Sequence, residues 1–297
     1  MAGRHGRLVV ALGLAGAVAG CAAATSDLPV RTTAPNGAAD PIPASVDRPE
    51  GIGPFPAIVI LHDCSGLGPR SSGAPARWSR ELVARGYVVV VPDSFTTRGR
   101  PDGVCTDASP ARADVSPSRR VHDAYATLAY ARSLPYVDGR RVGLMGGSHG
   151  GTTTLQSMTA PESTGEPLAR DKRAGFLAAV ALYPSCRVPL GRWRGDGTGT
   201  YRAVAPVLIL IGDKDDWTPA EPCRMLAASA RAADPPVAIR VYPGAHHSFD
   251  SDRPVRYVAT RVNSSAPTGR GATTGGDPEA WADSITQVTE FFGRYVR

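Results

Sequence analysis

Six short runs of the chain are almost wholly apolar: Phe55–Leu61, Tyr87–Val91, Arg141–Met145, Phe176–Leu182, Pro206–Ile211 and Val237–Val241. They are rich in Val, Ile and Leu without clean alternation, the pattern of parallel strands covered on both faces. Between them lie stretches with helical signals. One, over 76–85, stops at Gly86, a C-terminal cap. Another opens at Ser116-Pro117, with Ser as N-cap and Pro at the first helical position, and runs to about Leu134. Thr152–Thr159, Pro222–Ala233 and Pro278–Val296 complete the series. Strand and helix in alternation predict an α/β fold, a doubly wound and mostly parallel sheet. No repeat and no second core is visible, so a single domain is expected over 46–297.

Two stretches break the pattern. Gly191–Thr200 is rich in Gly and Arg, and its Trp193 is a candidate cap for a pocket. Ser251–Asp277 is a long polar run, expected to be a lid or a loose loop.

The N-terminus reads as a targeting segment. Arg4, His5 and Arg7 precede an apolar run, Leu8–Ala19, that is too short to span a bilayer but suits an export signal. The run ends Val18-Ala19-Gly20-Cys21, which resembles a bacterial lipobox with Cys21 as the lipidated residue. A signal over 1–21 and a flexible tether over 22–45, rich in Ala, Thr, Pro and Gly, are expected. The implied location is the cell envelope, lipid-anchored to the outer face of the cytoplasmic membrane, or secreted if Cys21 stays unmodified.

Export changes the meaning of the other cysteines. Cys64, Cys105, Cys186 and Cys223 form an even set, and an oxidising compartment allows two bridges among three possible pairings. Cys64–Cys105 and Cys186–Cys223 are expected, because each pair sits on loops at the same end of neighbouring predicted strands. No CxxC occurs and no His lies four residues from a Cys, so no metal is implied.

Composition adds exclusions. Of 297 residues, 42% are hydrophobic and 20% charged, which fits a folded globular protein and not a disordered chain. The formal net charge is +6, falling to +4 without residues 1–20. The basic residues are scattered, so no nucleic-acid partner is expected.

The chemistry concentrates at Gly146-Gly147-Ser148-His149-Gly150, a G-x-S-x-G string directly after a predicted strand and before a predicted helix. That context is the nucleophile elbow, a tight turn that projects a serine hydroxyl from the sheet. The hydroxyl needs a base, and the elbow fixes the order Ser, acid, His. The base is then His246 or His247, after the sixth strand. The acid is one of Asp213, Asp215 and Asp216, after the fifth. An oxyanion hole needs two backbone donors. The N–H groups of His149 and of Cys64, in the turn after the first core strand, are assigned to it. Phe95 and Trp217 are candidate walls of the acyl pocket, together with Asp63. A histidine base predicts activity that falls below about pH 6 to 7.

Residues 53–297 resemble the dienelactone hydrolase family of α/β-hydrolases, in particular its exported serine branch. The resemblance rests on Ile60-Leu61-His62-Asp63-Cys64-Ser65-Gly66-Leu67, Gly86-Tyr87 with Val91-Pro92-Asp93-Ser94-Phe95, the elbow, Gly212-x-x-Asp215-x-x-x-Pro219 and His247-Ser248-Phe249. It implies Asp215 as the acid and His247 as the base. Family members that open dienelactones use a cysteine nucleophile, where this chain has Ser148. They also hold the substrate carboxylate with an arginine four residues after the histidine, where it has Ser251. Arg98 is a candidate for another anion contact. The implied activity is therefore hydrolysis of a carboxylic ester or lactone through a Ser-His-Asp triad and an acyl-enzyme, with no cofactor. Two alternatives stay open. One is a prolyl-oligopeptidase-like peptidase, whose usual propeller domain has no counterpart in the pattern. The other is a catalytically inactive, lipid-anchored binding protein. Oligomeric state leaves no signal.

Overall fold

The computed structural model describes residues 1, 30–32, 37–160, 175–230 and 232–297. The signal segment and Cys21 lie outside the described residues.

The elements in chain order are β1 (Ala44–Asp47), β2 (Phe55–Leu61), α1 (Ala74–Val83), β3 (Val88–Pro92), α2 (Pro117–Ser133), β4 (Val137–Gly147), α3 (His149–Ser157), β5 (Ala179–Leu182), β6 (Val207–Gly212), α4 (Ala220–Ser229), β7 (Val237–Tyr242), β8 (Arg256–Val262), β9 (Arg270–Thr274) and α5 (Pro278–Tyr295). Seven strands form one sheet in the order β1-β3-β2-β4-β5-β6-β7. Strands β2 to β7 pair in parallel, and β1 alone runs antiparallel, along β3. The fold is thus the expected doubly wound α/β sheet. In β6, Val-Leu-Ile-Leu-Ile-Gly is buried throughout, as a strand covered on both faces must be. The edge strand β7 alternates between buried and exposed positions.

After β3 the chain returns to the other side of β2 and continues outward from β4. The sheet therefore reverses direction between β2 and β4, where open α/β sheets bind ligands at the carboxyl ends of their strands. Leu61 pairs with Gly146 there, so the turn after β2 and the elbow after β4 emerge side by side.

Helix starts follow the sequence closely. Ser116 Oγ accepts the Arg119 N–H ahead of Pro117, and Asp277 accepts the N–H groups of Glu279 and Ala280 ahead of Pro278. Strand β4 contributes Gly143 to the face against α5, where an added Cβ would stand 2.8 Å from Ile58 and 2.9 Å from Phe292.

Three expectations need correction. The described part of the expected tether is built into the domain: Val30 bridges Ile42, both are fully buried, and β1 begins at Ala44. The edge of β3 needs a partner, and β1 supplies it. Ser251–Asp277 is not a loose loop, because it contains the antiparallel hairpin β8–β9. Arg256, Tyr257, Ala259 and Thr260 of β8 are all exposed, so no apolar alternation marked it. Trp193 caps no pocket. It is fully buried, and its indole N–H donates to the carbonyl of Cys186 at 2.8 Å. The bridges Cys64–Cys105 and Cys186–Cys223 are both present, in the expected pairing. Among the described residues, no helix is long and apolar enough to cross a membrane.

Candidate active site

Ser148 stands between β4 and α3 with φ 52° and ψ −113°, a backbone conformation that a side-chain-bearing residue holds only under constraint. The constraint is visible in its neighbours. A Cβ on Gly146 would lie 2.5 Å from the Gly150 carbonyl oxygen, and one on Gly150 would lie 2.1 Å from that of Leu61. Two glycines thus let strand, helix and the β2 turn crowd around the serine. The Ser148 N–H donates to Leu182 O at 2.9 Å, which ties the elbow to β5.

His247 Nε2 is 2.9 Å from Ser148 Oγ, and its Nδ1 is 2.8 Å from Asp215 Oδ2. The simplest proton arrangement has the serine O–H donating to Nε2 and the Nδ1–H donating to the carboxylate. The carboxylate is held in turn. Asp215 Oδ1 accepts the N–H groups of Trp217 at 3.0 Å and Thr218 at 2.8 Å, and Oδ2 lies 2.9 Å from the Thr218 hydroxyl. Thr218 Oγ1 also stands 3.0 Å from His247 Nδ1. The imidazole is flanked by Trp217 and by the ring of Tyr183, with centroids at 4.7 and 4.8 Å.

The structure separates the candidates that spacing left open. His246 is directed away, with Nδ1 3.0 Å from the Lys214 carbonyl. Asp213 accepts the Gly244 N–H, and Asp216 accepts the N–H and hydroxyl of Thr273.

Cys64 and His149 flank the serine, and among the described residues neither backbone N–H donates to a protein acceptor. The His149 ring points into the body. Arg120 Nη1 donates to its Nδ1 at 2.8 Å, which leaves the proton on a buried Nε2. Burial, and then Arg120, hold His149 well below its ordinary pKa. Burial also brings the Arg120 guanidinium down to about 10. His62 is likewise held neutral, by burial first and then Arg120. Its Nδ1–H donates to Asp63 O at 2.8 Å and its Nε2 accepts the Ser94 N–H at 3.2 Å.

A cleft opens above the serine. Asp63, Cys64, Ser148, Trp217 and His247 line it. The Asp63 carboxylate accepts hydrogen bonds from the hydroxyls of Ser65 and Ser72. Phe95 and Arg98 do not line it. Phe95 is fully buried beneath the floor, edge-on to His62 and His149. Arg98 is buried in ion pairs with Asp123 and Asp40, each at 2.7 Å, so its charge is spent inside the protein. Among the described residues the one grouping of potential metal ligands is Asp63, Cys64 and Cys105. Its two sulfurs are bonded to each other and offer no thiolate.

Residues that the sequence reading did not single out complete the walls. The β8–β9 hairpin is fastened to the histidine turn, to the acid turn and to the segment carrying Cys105. Thr274 bridges His247, the Trp217 indole N–H donates to Val262 O at 2.8 Å, and the Val262 N–H donates to Cys105 O at 2.9 Å. It brings Arg256 and Arg261 to the cleft, and the segment just before β8 brings Arg253, opposite Arg70 and Ser72 of the loop after β2. Their signal was the arginine content of a stretch read as a loop. Thr218 had none beyond its place before Pro219.

A parallel sheet with a strained serine at its reversal point, a histidine and a carboxylate in line defines an α/β-hydrolase-type site. The Dienelactone hydrolase family model matches residues 42–296, so the chain belongs to that family, whose members are carboxylic ester hydrolases. A protein of Escherichia coli K12 named "Putative carboxymethylenebutenolidase" is 27% identical over 236 residues, covering 74% of this chain and 78% of that protein. Among solved structures, a Klebsiella pneumoniae protein described as a "Putative Dienelactone Hydrolase" superposes with TM-score 0.61 at 21% identity, over 90% of this chain and 99% of that one. Thermogutta terrifontis esterase 2 superposes with TM-score 0.62 at 16% identity, over 91% and 94%. The two superpositions speak for the fold.

Proposed function

We propose that this ester hydrolase works through Ser148, His247 and Asp215 in two steps. His247 Nε2 takes the hydroxyl proton as Ser148 Oγ attacks the carbonyl carbon of an ester or lactone. The N–H groups of Cys64 and His149 receive the developing oxyanion. His247 then protonates the departing alkoxide, leaving an acyl-enzyme on Ser148. A water that gives its proton to His247 attacks the acyl carbon, and the carboxylic acid and free serine are regenerated. Asp215 keeps the imidazole in the required tautomer and stabilises its charged form. The observation that carries this reading is the continuous line of contacts, 2.9 Å from Ser148 Oγ to His247 Nε2 and 2.8 Å from His247 Nδ1 to Asp215 Oδ2.

Labelling by a fluorophosphonate probe tests it. Wild type labels and turns over p-nitrophenyl acetate, whereas Ser148→Ala does neither while keeping its circular dichroism spectrum. Turnover that survives in Ser148→Ala would refute the mechanism.

The same reading places the protein outside the cytoplasm, anchored through Cys21. It is supported by the lipobox-like string and by two disulfides, which persist in oxidising compartments. Metabolic incorporation of a fatty acid that disappears in Cys21→Ala is the expected result, and a soluble, unlabelled wild type would refute it.

A further inference from the structure

The cleft carries more positive charge than the proposed chemistry uses. Arg70 is paired with Asp102 at 3.6 Å. Arg253, Arg256 and Arg261 face the same cleft, and among the described residues none has a carboxylate at ion-pair distance. The Arg253 guanidinium donates to the carbonyl of Ser71 at 3.4 Å, reaching from the hairpin side to the loop after β2. Arg261 lies over Trp217, its Cζ 5.2 Å from the ring centroid, and its Nε is buried without a partner. Burial pushes Arg261 below its ordinary range, the Asp63 carboxylate opposes that, and Arg256 and Arg253 add to it. Arg253 and Arg256 are thus near enough to oppose the charge on Arg261. Asp63 is the only carboxylate among the described residues lining the cleft.

Clustered like charges cost stability unless something neutralises them. Three unpaired cations against Asp63 leave an excess of two. The cost is not forced by packing, since Arg253 and Arg256 are exposed and have room to turn to solvent. The hairpin that carries Arg256 and Arg261 is fixed by hydrogen bonds to the acid turn and to Cys105, so their backbone is held in the cleft wall.

We propose that Arg253, Arg256 and Arg261 form an anion subsite beside the nucleophile, and that the ester cleaved carries two free carboxylates on its non-reacting part. The proposal rests on the ester-hydrolase reading and adds the substrate class to it. Guanidinium forks suit carboxylates because they donate two parallel hydrogen bonds to each. The substrate's charges meet the hairpin while its ester carbonyl reaches Ser148.

The test has a binding arm and a kinetic arm. In calorimetric titration of Ser148→Ala, propane-1,2,3-tricarboxylate is expected to bind at least about tenfold tighter than butyrate, and the difference to shrink as salt is raised. The combined variant R253Q/R256Q/R261Q abolishes that difference, and Arg270→Gln, on the same hairpin but outside the cleft, retains it. Arg261→Lys, which keeps the charge without the fork, binds with intermediate affinity. Inorganic phosphate binding tighter than the tricarboxylate would overturn the assignment to carboxylates. In the kinetic arm, kcat/KM rises along p-nitrophenyl butyrate, mono-p-nitrophenyl glutarate and mono-p-nitrophenyl propane-1,2,3-tricarboxylate, at least about tenfold from first to last. Equal turnover of all three, with no preferential binding in Ser148→Ala, overturns the subsite and leaves the hydrolase reading standing. Selective binding of the tricarboxylate with no turnover of any ester overturns the hydrolase reading and supports the subsite.

Discussion

The hydroxyl of Tyr183 donates to Asp250 Oδ1 at 2.8 Å, and the ring of the same tyrosine lies 4.8 Å from that of His247. Asp250 also accepts the indole N–H of Trp78 at 2.9 Å and is completely enclosed. This carboxylate joins α1, the end of β5 and the turn that carries the histidine. Asp250→Ala leaves two buried donors without an acceptor and is expected to cost about 2 to 4 kcal/mol. The shift of the urea midpoint at unchanged slope measures it. A cost under about 0.5 kcal/mol would show that the link carries no load.

Thr218 contacts both the acid and the imidazole. Thr218→Val removes that hydroxyl at nearly constant volume and is expected to lower kcat about three- to tenfold with KM nearly unchanged, the effect of about one hydrogen bond. Asp215→Asn is expected to lower kcat by about three to four orders of magnitude. Combined with Ser148→Ala, Asp215→Asn adds almost nothing, because the residues act as a unit. Additive losses in the double variant would argue against a shared proton path.

Stability should fall on acidification through the two buried histidines. His62 and His149 have pKa values lowered well below the ordinary 6.5 of an unfolded chain. The unfolded state therefore binds more protons below about pH 6.5. Stability is highest above that pH and drops below it, by up to about 1.4 kcal/mol per pH unit for each histidine. His62→Gln keeps a donor and an acceptor and should flatten the slope by one histidine's share. Chemical denaturation at several values between pH 5 and 7.5 decides it, and a flat wild-type profile would contradict the burial of these rings.

The two disulfides should separate stability from turnover. They close loops of similar span, 41 and 37 residues apart in sequence, so loss of either costs about 4 kcal/mol on the chain-entropy account. Cys64 and Cys105 line the cleft, whereas Cys186 and Cys223 lie away from it. The Cys64→Ser/Cys105→Ser pair is expected to lower kcat at least about tenfold at a temperature where it stays folded. The Cys186→Ser/Cys223→Ser pair loses thermal stability with kcat within about twofold of wild type. Equal kinetic damage from both would remove the first bridge's link to the oxyanion turn.

Much of this was legible in the chain. The parallel strands announced themselves because strands buried on both faces are continuously apolar. The four residues of β1 and the seven of β8 gave no such signal. One is too short, and the other is mostly exposed and takes its meaning from its partner. Ser148 was legible from its glycines and its place between strand and helix. The choice of Asp215 and His247 came from family resemblance, since three aspartates and two adjacent histidines are equivalent until coordinates aim them. Phe95 and Arg98 were misread for one reason. Their partners lie far away in sequence, His149 beneath the elbow and Asp40 and Asp123 on other segments, and no local pattern reports them.

The bond between Cys64 and Cys105 has a bearing on regiochemistry. The carbonyl of Cys105 accepts the Val262 N–H at the end of β8, so one hydrogen bond ties the hairpin to the loop that the disulfide fastens to Cys64. With the proposed anion subsite fastened in this way, a molecule with several ester linkages would be cut at the one lying a set distance from its ionic end.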